Sequence, residues 1–584
     1  MKGWLLAALV LALSPSALAG QSAAGVDLEF GVKIPLRDGV RLNAKLYRPP
    51  GQPEPRPVVL AMTPYIADRY HTYVLPAVKR GYVVAVVDVR GRGSSEGTFT
   101  PFAQEAKDGY DTIEWLAAQP WSNGKIAMMG GSYGGFNQWS IAKELPPHLV
   151  TITPTASSYM GVDFPHLGGI WPTYVMQWIT LTTGQTPNNS IFGDQGYWRE
   201  KSRALYLGQR AFSSLDTLVG NPSATFQEWI SHPDLDDYWL SMAGSAAQLA
   251  RISIPIFTRT GMYDADQVGA MEHYRRHMKH GSPAAKANHY LMIGPWDHGG
   301  TRTPRKEMEG LTFDDAAIFD MGELEADWFD WIMKGGPRPA KLPKRVAYYV
   351  TGAEVWKYAD DLDEIGRDPT LYYLTSSGRS ATDPFHSGTL ATEPSDSPGD
   401  VWEDDPLDLS RGRAEDDLPD LTDASFANEL PGGGVIYHTT PFAEPVEISG
   451  FPSLSLWVTM DVPDADFWVG LYEITAEGQS ILLDDAQLRA RYREGRERSV
   501  LVTPGRPTRI DFDRFRFMSR RIAAGSRLRL LIRSPNSIYA ERNYHSGGDV
   551  ARETAKDARV ARLELLHEGA HRSVLSLPIV RESP

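Results

Sequence analysis

A serine set between glycines carries the clearest chemical signal in this chain. Gly130-Gly131-Ser132-Tyr133-Gly134 follows the apolar run 125–129 and precedes a helix-like stretch over 136–144. A strand, a sharp turn with serine at its apex and a helix form a nucleophile elbow, where glycines leave room for a crowded backbone. The pattern predicts that Ser132 is a nucleophile.

A second segment, Gly93-Ser94-Ser95-Glu96-Gly97, fits the same five-residue spacing. An Arg/Gly loop separates its serine from the preceding strand, and Pro101 arrives before a helical pattern can start. We therefore interpret Ser95 as a loop residue.

A serine hydroxyl is a poor nucleophile at neutral pH and needs a histidine base. His298 lies just past the predicted strand 290–294, in a loop with two glycines that can bring the imidazole to the serine. Taken alone it would be interpreted as a surface-loop histidine. Its position after a strand and downstream of the elbow predicts the base.

The base in turn needs a carboxylate that orients it, and three aspartates are candidates. Asp264 follows the predicted strand 254–260 by a short turn, Asp266 is two residues further, and Asp297 is adjacent to the histidine. Adjacent side chains tend to point apart, which disfavours Asp297. Asp264 is preferred over Asp266 because it lies closer to the strand end.

The oxyanion formed during acyl attack requires hydrogen-bond donors that are placed beforehand. The backbone N–H of Tyr133, next to the nucleophile, is the first candidate. Tyr65 is the second, because it lies in the proline-stiffened loop 63–65 directly after the predicted strand 57–62. The alternative for Tyr65 is that it only packs at a domain interface.

The elements around these residues predict an α/β fold. Strands alternate with helices over 26–150 and again over 251–336, which indicates a parallel sheet and an α/β-hydrolase core. An aromatic-rich stretch over 151–250 interrupts this pattern and predicts a helical cap insertion. Short strands separated by turn residues over 345–584 predict a C-terminal β jelly-roll domain.

Composition narrows the classes of partner. The 584 residues carry a net charge of -14, which argues against nucleic acid or an anionic membrane as a partner. There is no cysteine, so disulfides, thiol catalysis and cysteine-held metals are excluded, and we expect neither a metal nor a cofactor. A small-molecule ester or amide substrate fits better, and assembly into a homo-oligomer is left open.

The N-terminus predicts export. Lys2, an apolar run over 4–13 and the ending Ala17-Leu18-Ala19 form a secretory signal peptide over 1–19, with cleavage after Ala19. The apolar run is about half of the roughly 20 residues that a membrane span needs. The mature protein is therefore expected in the periplasm or secreted.

Several stretches together resemble the X-Pro dipeptidyl-peptidase/cocaine esterase family of serine hydrolases, which includes α-amino acid ester hydrolases and glutaryl-cephalosporin acylases. They cover nearly all of the mature chain and are densest over 34–135. They are 34–42, 63–65, 88–97, 121–125, 131–133, 294–298 and 328–331. The resemblance implies a triad of Ser132, Asp264 and His298, an oxyanion hole of Tyr65 and the Tyr133 amide, and the same three-part architecture.

Within that family, the α-amino acid ester hydrolases hold the substrate ammonium with an acidic cluster. By this resemblance Asp163 and Asp266 would be two of its members, whereas Gln267 stands where a third carboxylate is expected. Gly134 also replaces an acidic residue of the elbow. The alternative is that Asp266 supports the Asp264 loop and Asp163 caps a helix.

The sequence thus predicts an exported serine hydrolase that cleaves small carboxylic esters or amides through an acyl-enzyme, α-amino acid esters among them. One alternative is an X-Pro dipeptidyl peptidase. Another is a catalytically inactive hydrolase fold whose jelly roll binds carbohydrate or a protein partner.

Overall fold

The computed structural model describes residues 25–51, 54–377, 381–410, 420–425, 427–430 and 433–580. The predicted signal peptide, 1–19, lies outside these described residues. Within them, no helix has the length and apolar character that crossing a membrane requires.

A mixed ten-stranded sheet forms the centre of the first part of the molecule. The first twelve strands in chain order are β1 (Asp27–Pro35), β2 (Arg41–Arg48), β3 (Arg56–Thr63), β4 (Val83–Asp88), β5 (Ser122–Gly131), β6 (Leu149–Thr155), β7 (Ile256–Tyr263), β8 (His289–Asp297), β9 (Glu307–Met308), β10 (Leu311–Thr312), β11 (Val346–Val350) and β12 (Val355–Ala359). The sheet order is β1-β2-β4-β3-β5-β6-β7-β8-β11-β12, and β9 pairs only with β10. The strands from β4 across to β11 are parallel, with antiparallel strands at both edges.

Helices cover both faces of this sheet. The helices in chain order are α1 (His71–Lys79), α2 (Glu105–Ala117), α3 (Tyr133–Ala142), α4 (Tyr174–Thr182), α5 (Asn189–Phe192), α6 (Gln195–Leu207), α7 (Leu215–Leu218), α8 (Ala224–Ile230), α9 (Asp237–Met242), α10 (Ala246–Leu249), α11 (Gln267–His280), α12 (Pro283–Ala287) and α13 (Met321–Lys334). Helices α1 and α13 pack on one face, and α2 and α3 pack on the other. The central strands β3 and β4 are therefore buried on both sides, which explains their nearly continuous apolar sequences.

Helices α4 to α10 interrupt the sheet between β6 and β7. Helices α4 and α6 to α9 pack around an aromatic cluster that includes Trp171, Trp178, Trp198, Trp229 and Trp239. This cluster also takes in residues of the elbow helix, Tyr133 and Phe136. The inserted helices are therefore packed directly onto the element that carries the serine.

The C-terminal part is rich in strands: β13 (Thr370–Thr375), β14 (Gly388–Ala391), β15 (Asp400–Asp404), β16 (Gly434–His438), β17 (Val446–Gly450), β18 (Ser453–Met460), β19 (Asp466–Ile474), β20 (Ser480–Arg489), β21 (Thr508–Phe512), β22 (Met518–Ile522), β23 (Arg527–Arg533), β24 (Ala561–Leu565), β25 (Val574–Leu577) and β26 (Ile579–Val580). An eleven-stranded sheet contains most of them, and β22, β17 and β26 form a second sheet. This is a separate β-rich domain.

The first strand of the predicted C-terminal domain, 345–584, joins the first sheet. Strand β11, expected to open the C-terminal domain, pairs in parallel with β8, and β12 follows it at the edge of the first sheet. A short apolar run does not encode which sheet it joins. One continuous hydrophobic cluster, which includes Leu291, Val346, Leu454 and Phe517, connects the two parts of the molecule.

Candidate active site

Ser132 occupies the sharp turn between β5 and α3. Its backbone has φ 60° and ψ -124°, a left-handed conformation that a side chain rarely adopts. The turn is anchored by the Ser132 N–H, which donates to the Thr155 carbonyl at 2.9 Å. A Cβ on Gly135 would lie 2.7 Å from that same carbonyl oxygen, so glycine is required there. Strain of this kind is typical of functional sites.

The competing serine is tied into a buried loop. The hydroxyl of Ser95 accepts a hydrogen bond from the Asn43 amide at 2.7 Å and donates to the Asp88 carbonyl at 2.6 Å. Ser95 is 4% exposed. Its hydroxyl therefore serves the backbone of that loop.

His298 and Asp264 meet at the carboxyl ends of β8 and β7. Nδ1 of His298 lies 2.8 Å from Oδ1 of Asp264, and the aspartate is fully buried. Asp264 also accepts from the Asp266 amide at 3.0 Å and from the Thr260 hydroxyl at 3.3 Å. These bonds fix the carboxylate, which leaves Nε2 of the imidazole as the nitrogen available for proton transfer.

The carboxylates raise the pKa of His298. Burial by itself would lower that pKa, but Asp264 and Asp266 outweigh burial by stabilising the imidazolium, while Arg302 opposes them. Asp266 Oδ2 lies 3.7 Å from Nδ1. The histidine is thus a stronger base than a free imidazole.

Tyr65 is placed to donate a hydrogen bond beside Ser132. Its hydroxyl oxygen accepts from the indole N–H of Trp178 at 2.9 Å, and Tyr65 lines the same cavity as Ser132. Because the indole can only donate, the phenolic proton is directed elsewhere. Burial raises the pKa of Tyr65 to about 12, so the proton stays on the oxygen at neutral pH.

Tyr133 presents its amide and its side chain to different surroundings. Its N–H is at the first position of α3, and no acceptor for it lies within the described residues. Its hydroxyl donates to Glu105 and accepts from the Phe102 amide at 2.9 Å. The pKa of Glu105 is raised by burial to about 7. The Tyr133 side chain therefore anchors the elbow turn through its buried hydrogen bonds to Glu105 and Phe102.

The structure gives Asp163 and Asp266 different positions. Asp163 accepts from the Tyr159 amide at 2.8 Å and from the Gly269 amide at 2.6 Å, which is in the first turn of α11. Burial and the nearby Asp266 raise the pKa of Asp163 well above its usual range. Asp266 has no such bond to its helix and faces His298 instead. Burial raises the pKa of Asp266 to about 6.

Ser132 and His298 open into one cavity of about 440 Å³. Its wall comes from three regions: the loop after β3 with the start of α1, the elbow and histidine loops, and the inserted helices α4 and α5. The lining residues are Tyr65, Arg69, Tyr70, Tyr73, Gly131, Ser132, Tyr174, Trp178, Leu181, Phe192, His298, Arg302 and Thr303. Neither Asp163 nor Asp266 is among them.

Several residues of the site carried no signal in the sequence. Trp178 is one of many tryptophans in the insertion, and its bond to Tyr65 depends on how the helices fold back. Arg259 and Glu325 form a fully buried ion pair at 2.7 Å beneath the elbow, and Glu325 also accepts from the Tyr73 hydroxyl at 2.8 Å. A buried pair 66 residues apart in sequence has no local pattern.

Within the described residues, no group of three or more His, Asp or Glu side chains could hold a metal ion.

A strained serine elbow on a parallel sheet and a His–Asp pair at neighbouring strand ends define a serine hydrolase of the α/β-hydrolase fold. Profiles of the X-Pro dipeptidyl-peptidase (S15 family) and of the X-Pro dipeptidyl-peptidase C-terminal non-catalytic domain match residues 38–300 and 339–576. The chain belongs to the X-Pro dipeptidyl-peptidase/cocaine esterase family of serine hydrolases.

Individual relatives match along nearly the whole chain. The cocaine esterase of Rhodococcus sp. (strain MB1 Bresler) is 28% identical over 578 residues, which are 94% of this chain and 98% of the relative. An α-amino acid ester hydrolase structure has a TM-score of 0.81 at 21% identity and covers 97% of this chain and 98% of its own. An aminopeptidase from a Thaumarchaeota archaeon has the same TM-score and identity, with 98% and 99% covered.

Proposed function

We propose that this enzyme hydrolyses small carboxylic esters or amides through an acyl-enzyme on Ser132. The observation that carries the proposal is the 2.8 Å bond between His298 Nδ1 and Asp264, with His298 and Ser132 opening into the same cavity. That bond fixes the imidazole in the orientation in which Nε2 can accept a proton.

In the acylation step, Oγ of Ser132 attacks the substrate carbonyl carbon while its proton passes to Nε2 of His298. The carbonyl oxygen becomes an oxyanion, which the Tyr65 hydroxyl and the Tyr133 amide stabilise. When the tetrahedral intermediate collapses, the alcohol or amine leaves with the proton from His298. The acyl group remains on Ser132.

Deacylation repeats this sequence with water as the nucleophile. Water loses a proton to His298 as it attacks the acyl carbonyl, and the same two donors hold the second oxyanion. Collapse releases the carboxylic acid and returns the proton to Ser132. The imidazolium formed in each step is stabilised by Asp264.

The inserted helices α4 to α10 act in this proposal as a cap. Tyr174, Trp178, Leu181 and Phe192 come from this insertion and line the cavity. The C-terminal domain is proposed as a non-catalytic jelly roll. We also propose that the protein is exported through residues 1–19, which N-terminal sequencing of the mature protein would test.

An ester or amide without a free ammonium is the favoured substrate. The full-length similarity to a cocaine esterase supports ester cleavage. Both oxygens of Asp163 are engaged by backbone amides, so we assign that residue to capping α11. The second candidate is an X-Pro dipeptidyl peptidase, supported by the profile match over 38–300.

A substitution pair tests the proposal. Ser132→Ala should abolish hydrolysis of a panel of neutral esters, amides and X-Pro amides, and it should also abolish labelling by a fluorophosphonate. Ser95→Ala is the matched control and should keep both. Equal losses in the two variants, with both folded, would contradict the assignment. The panel separates the two candidates by which substrate class is turned over.

A further inference from the structure

Two arginines line the catalytic cavity without a carboxylate partner. Arg302 and Arg69 both belong to the wall that holds Ser132 and His298. Among the described residues, no aspartate or glutamate forms an ion pair with either guanidinium. Positive charge that the protein leaves unpaired in a substrate cavity is available to a ligand.

Arg302 is held beside the nucleophile. The turn after β8 is closed by the Thr301 hydroxyl, which donates to the His298 carbonyl at 2.8 Å, and by the Arg302 amide, which donates to the Gly299 carbonyl at 3.1 Å. A Cβ built on Gly131 would lie 2.8 Å from Nη1 of Arg302. The guanidinium therefore rests against the residue that precedes Ser132.

Arg69 lies on the exposed side of the same cavity, in the short helix 67–70 after Tyr65. The adjacent Asp68 forms an ion pair with Lys45 on the neighbouring strand β2. That pairing leaves Arg69 without the carboxylate nearest to it in sequence.

The other carboxylates around the cavity are already engaged. Asp264 holds His298, and Glu325 is paired with Arg259 beneath the elbow. Asp266 faces His298 at 3.7 Å, and although Arg302 acts on its charge from a distance, the two form no ion pair. The wall exposed to substrate therefore carries two cations, and no carboxylate side chain belongs to its described lining residues.

We propose that the substrate carries a carboxylate in addition to the ester or amide that is cleaved, and that Arg302 binds it with Arg69 assisting from the rim. A guanidinium matches a carboxylate with two parallel N–H donors. The inference rests on the proposed function, because it assigns the substrate class of the same cavity. The carboxylate belongs either to the acyl group or to the leaving group.

Matched esters test this proposal. Monomethyl adipate carries a free carboxylate on the acyl side, and methyl adipamate replaces that carboxylate with a neutral amide of the same shape. A hydrogen-bonded charge pair corresponds to about a 10- to 100-fold preference in kcat/KM. On the leaving-group side, the matched pair is the acetate ester of 6-hydroxycaproic acid and the acetate ester of 6-hydroxycaproamide. These two esters also differ only in carrying a carboxylate or a neutral amide. A preference in either arm supports the proposal and identifies the side.

Arginine variants separate recognition from general effects on catalysis. Arg302→Gln should abolish the preference for the anionic ester, whereas Arg302→Lys should retain part of that preference. Arg69→Gln should reduce the preference by a smaller factor than Arg302→Gln does. Because the ratio of two substrates is measured, any change in the His298 base cancels. Arg305→Gln is the control, since Arg305 is exposed, pairs with Asp297 and does not line the cavity.

Failure of this inference is distinguishable from failure of the proposed function. Equal kcat/KM for charged and neutral esters in both arms, with Ser132-dependent turnover intact, would overturn the inference alone. If neither ester is turned over, the test is whether adipate protects Ser132 from fluorophosphonate labelling. Protection by adipate but not by adipamide supports the inference. Equal behaviour of the two compounds overturns it. Absence of labelling in the unmodified enzyme would overturn the proposed function.

Discussion

Two tyrosines flank Ser132 and contribute different groups. Tyr65 offers a hydroxyl whose oxygen already accepts from Trp178, so its proton is directed away from that indole. Tyr133 offers its backbone N–H, while its hydroxyl is buried against Glu105. In the proposed mechanism, one residue type therefore supplies one oxyanion donor from a side chain and the other from the main chain.

Removing the Tyr65 hydroxyl tests the first of these donors. Tyr65→Phe keeps the ring packing and should lower kcat by about 10² to 10³, as loss of one oxyanion donor typically does. Steady-state kinetics on a neutral ester measures this. Tyr174→Phe serves as control because Tyr174 also lines the cavity. Unchanged turnover in folded Tyr65→Phe would return Tyr65 to a packing role.

The proposed role of His298 as the base predicts how activity depends on pH. The base must be neutral, and its pKa is raised by Asp264 and Asp266 against burial and Arg302. Activity should therefore fall as pH decreases through a midpoint above the ordinary value of about 6.5 for histidine. A kcat/KM profile on a non-ionising ester measures this midpoint. A profile that stays flat from about pH 5 to 8 would contradict a histidine base.

A substitution of Asp266 tests whether this carboxylate raises the pKa of His298. Asp266→Asn removes one carboxylate that stabilises the imidazolium, so the acid limb should move to lower pH. Asp297→Asn is the control: Asp297 adjoins His298 in sequence, but its side chain bonds with Arg305 and the Gly300 amide. An equal displacement of the limb in both variants would contradict the electrostatic role of Asp266.

At the scale of elements, the elbow depends on close approach between α3 and β6. Gly135 faces the Thr155 carbonyl at a distance that excludes a Cβ, whereas a Cβ on Gly134 would lie 3.7 Å from its nearest neighbour, the Met62 carbonyl oxygen. Of these two adjacent glycines in one helix turn, Gly134 therefore has room for a Cβ and Gly135 does not.

Alanine at each glycine tests this difference. Gly135→Ala should lower both the melting temperature and kcat, because the helix must move away from the strand that anchors Ser132. Gly134→Ala should be neutral or slightly stabilising, since alanine costs less backbone entropy than glycine in a helix, by about 0.5 to 1 kcal/mol. Thermal unfolding and ester turnover measure both. A Gly135→Ala variant as stable and active as Gly134→Ala would contradict the packing argument.

The sequence predicted the segments that carry the catalytic residues better than it predicted which other segments those residues contact. The elbow and the His298 loop are local patterns, so residue order and glycine spacing located them. The assignment of β11 differed because five apolar residues do not show whether their neighbour is β8 or a strand of the next domain. The capping of α11 by Asp163 and the bond from Trp178 to Tyr65 join segments far apart in sequence, which no local spacing reports.

At the scale of the whole molecule, Gln267 joins the two parts of the chain behind the acid. Its Nε2 donates to the carbonyls of Gly261 and Phe517, each at 3.0 Å, and its Oε1 accepts from the Phe517 amide at 2.6 Å. A carboxylate could not donate to those two carbonyls. This explains in physical terms why glutamine occupies a position where the resemblance suggested a third acidic residue.

Loss of that bridge should affect stability and catalysis together. Gln267→Ala leaves the buried N–H and carbonyl of Phe517 without partners, which costs about 1 to 3 kcal/mol. It also removes one of two donors to the Gly261 carbonyl, which still accepts from the Asp264 amide at 3.3 Å, and so loosens the turn that holds Asp264. Thermal unfolding and kcat should both fall. Gln119→Ala, which loses a single bond within its own helix region, should change both less. Equal effects would contradict a bridging role.

The proposed catalysis proceeds through an acyl group on Ser132, with His298 as the base. Mass spectrometry of the enzyme quenched during ester turnover tests it most directly. We expect the mass of the acyl group on the peptide that contains Ser132, and little accumulation of that adduct in His298→Gln, where acylation is slowed. An adduct on the peptide containing Ser95, or steady turnover in Ser132→Ala, would contradict the account.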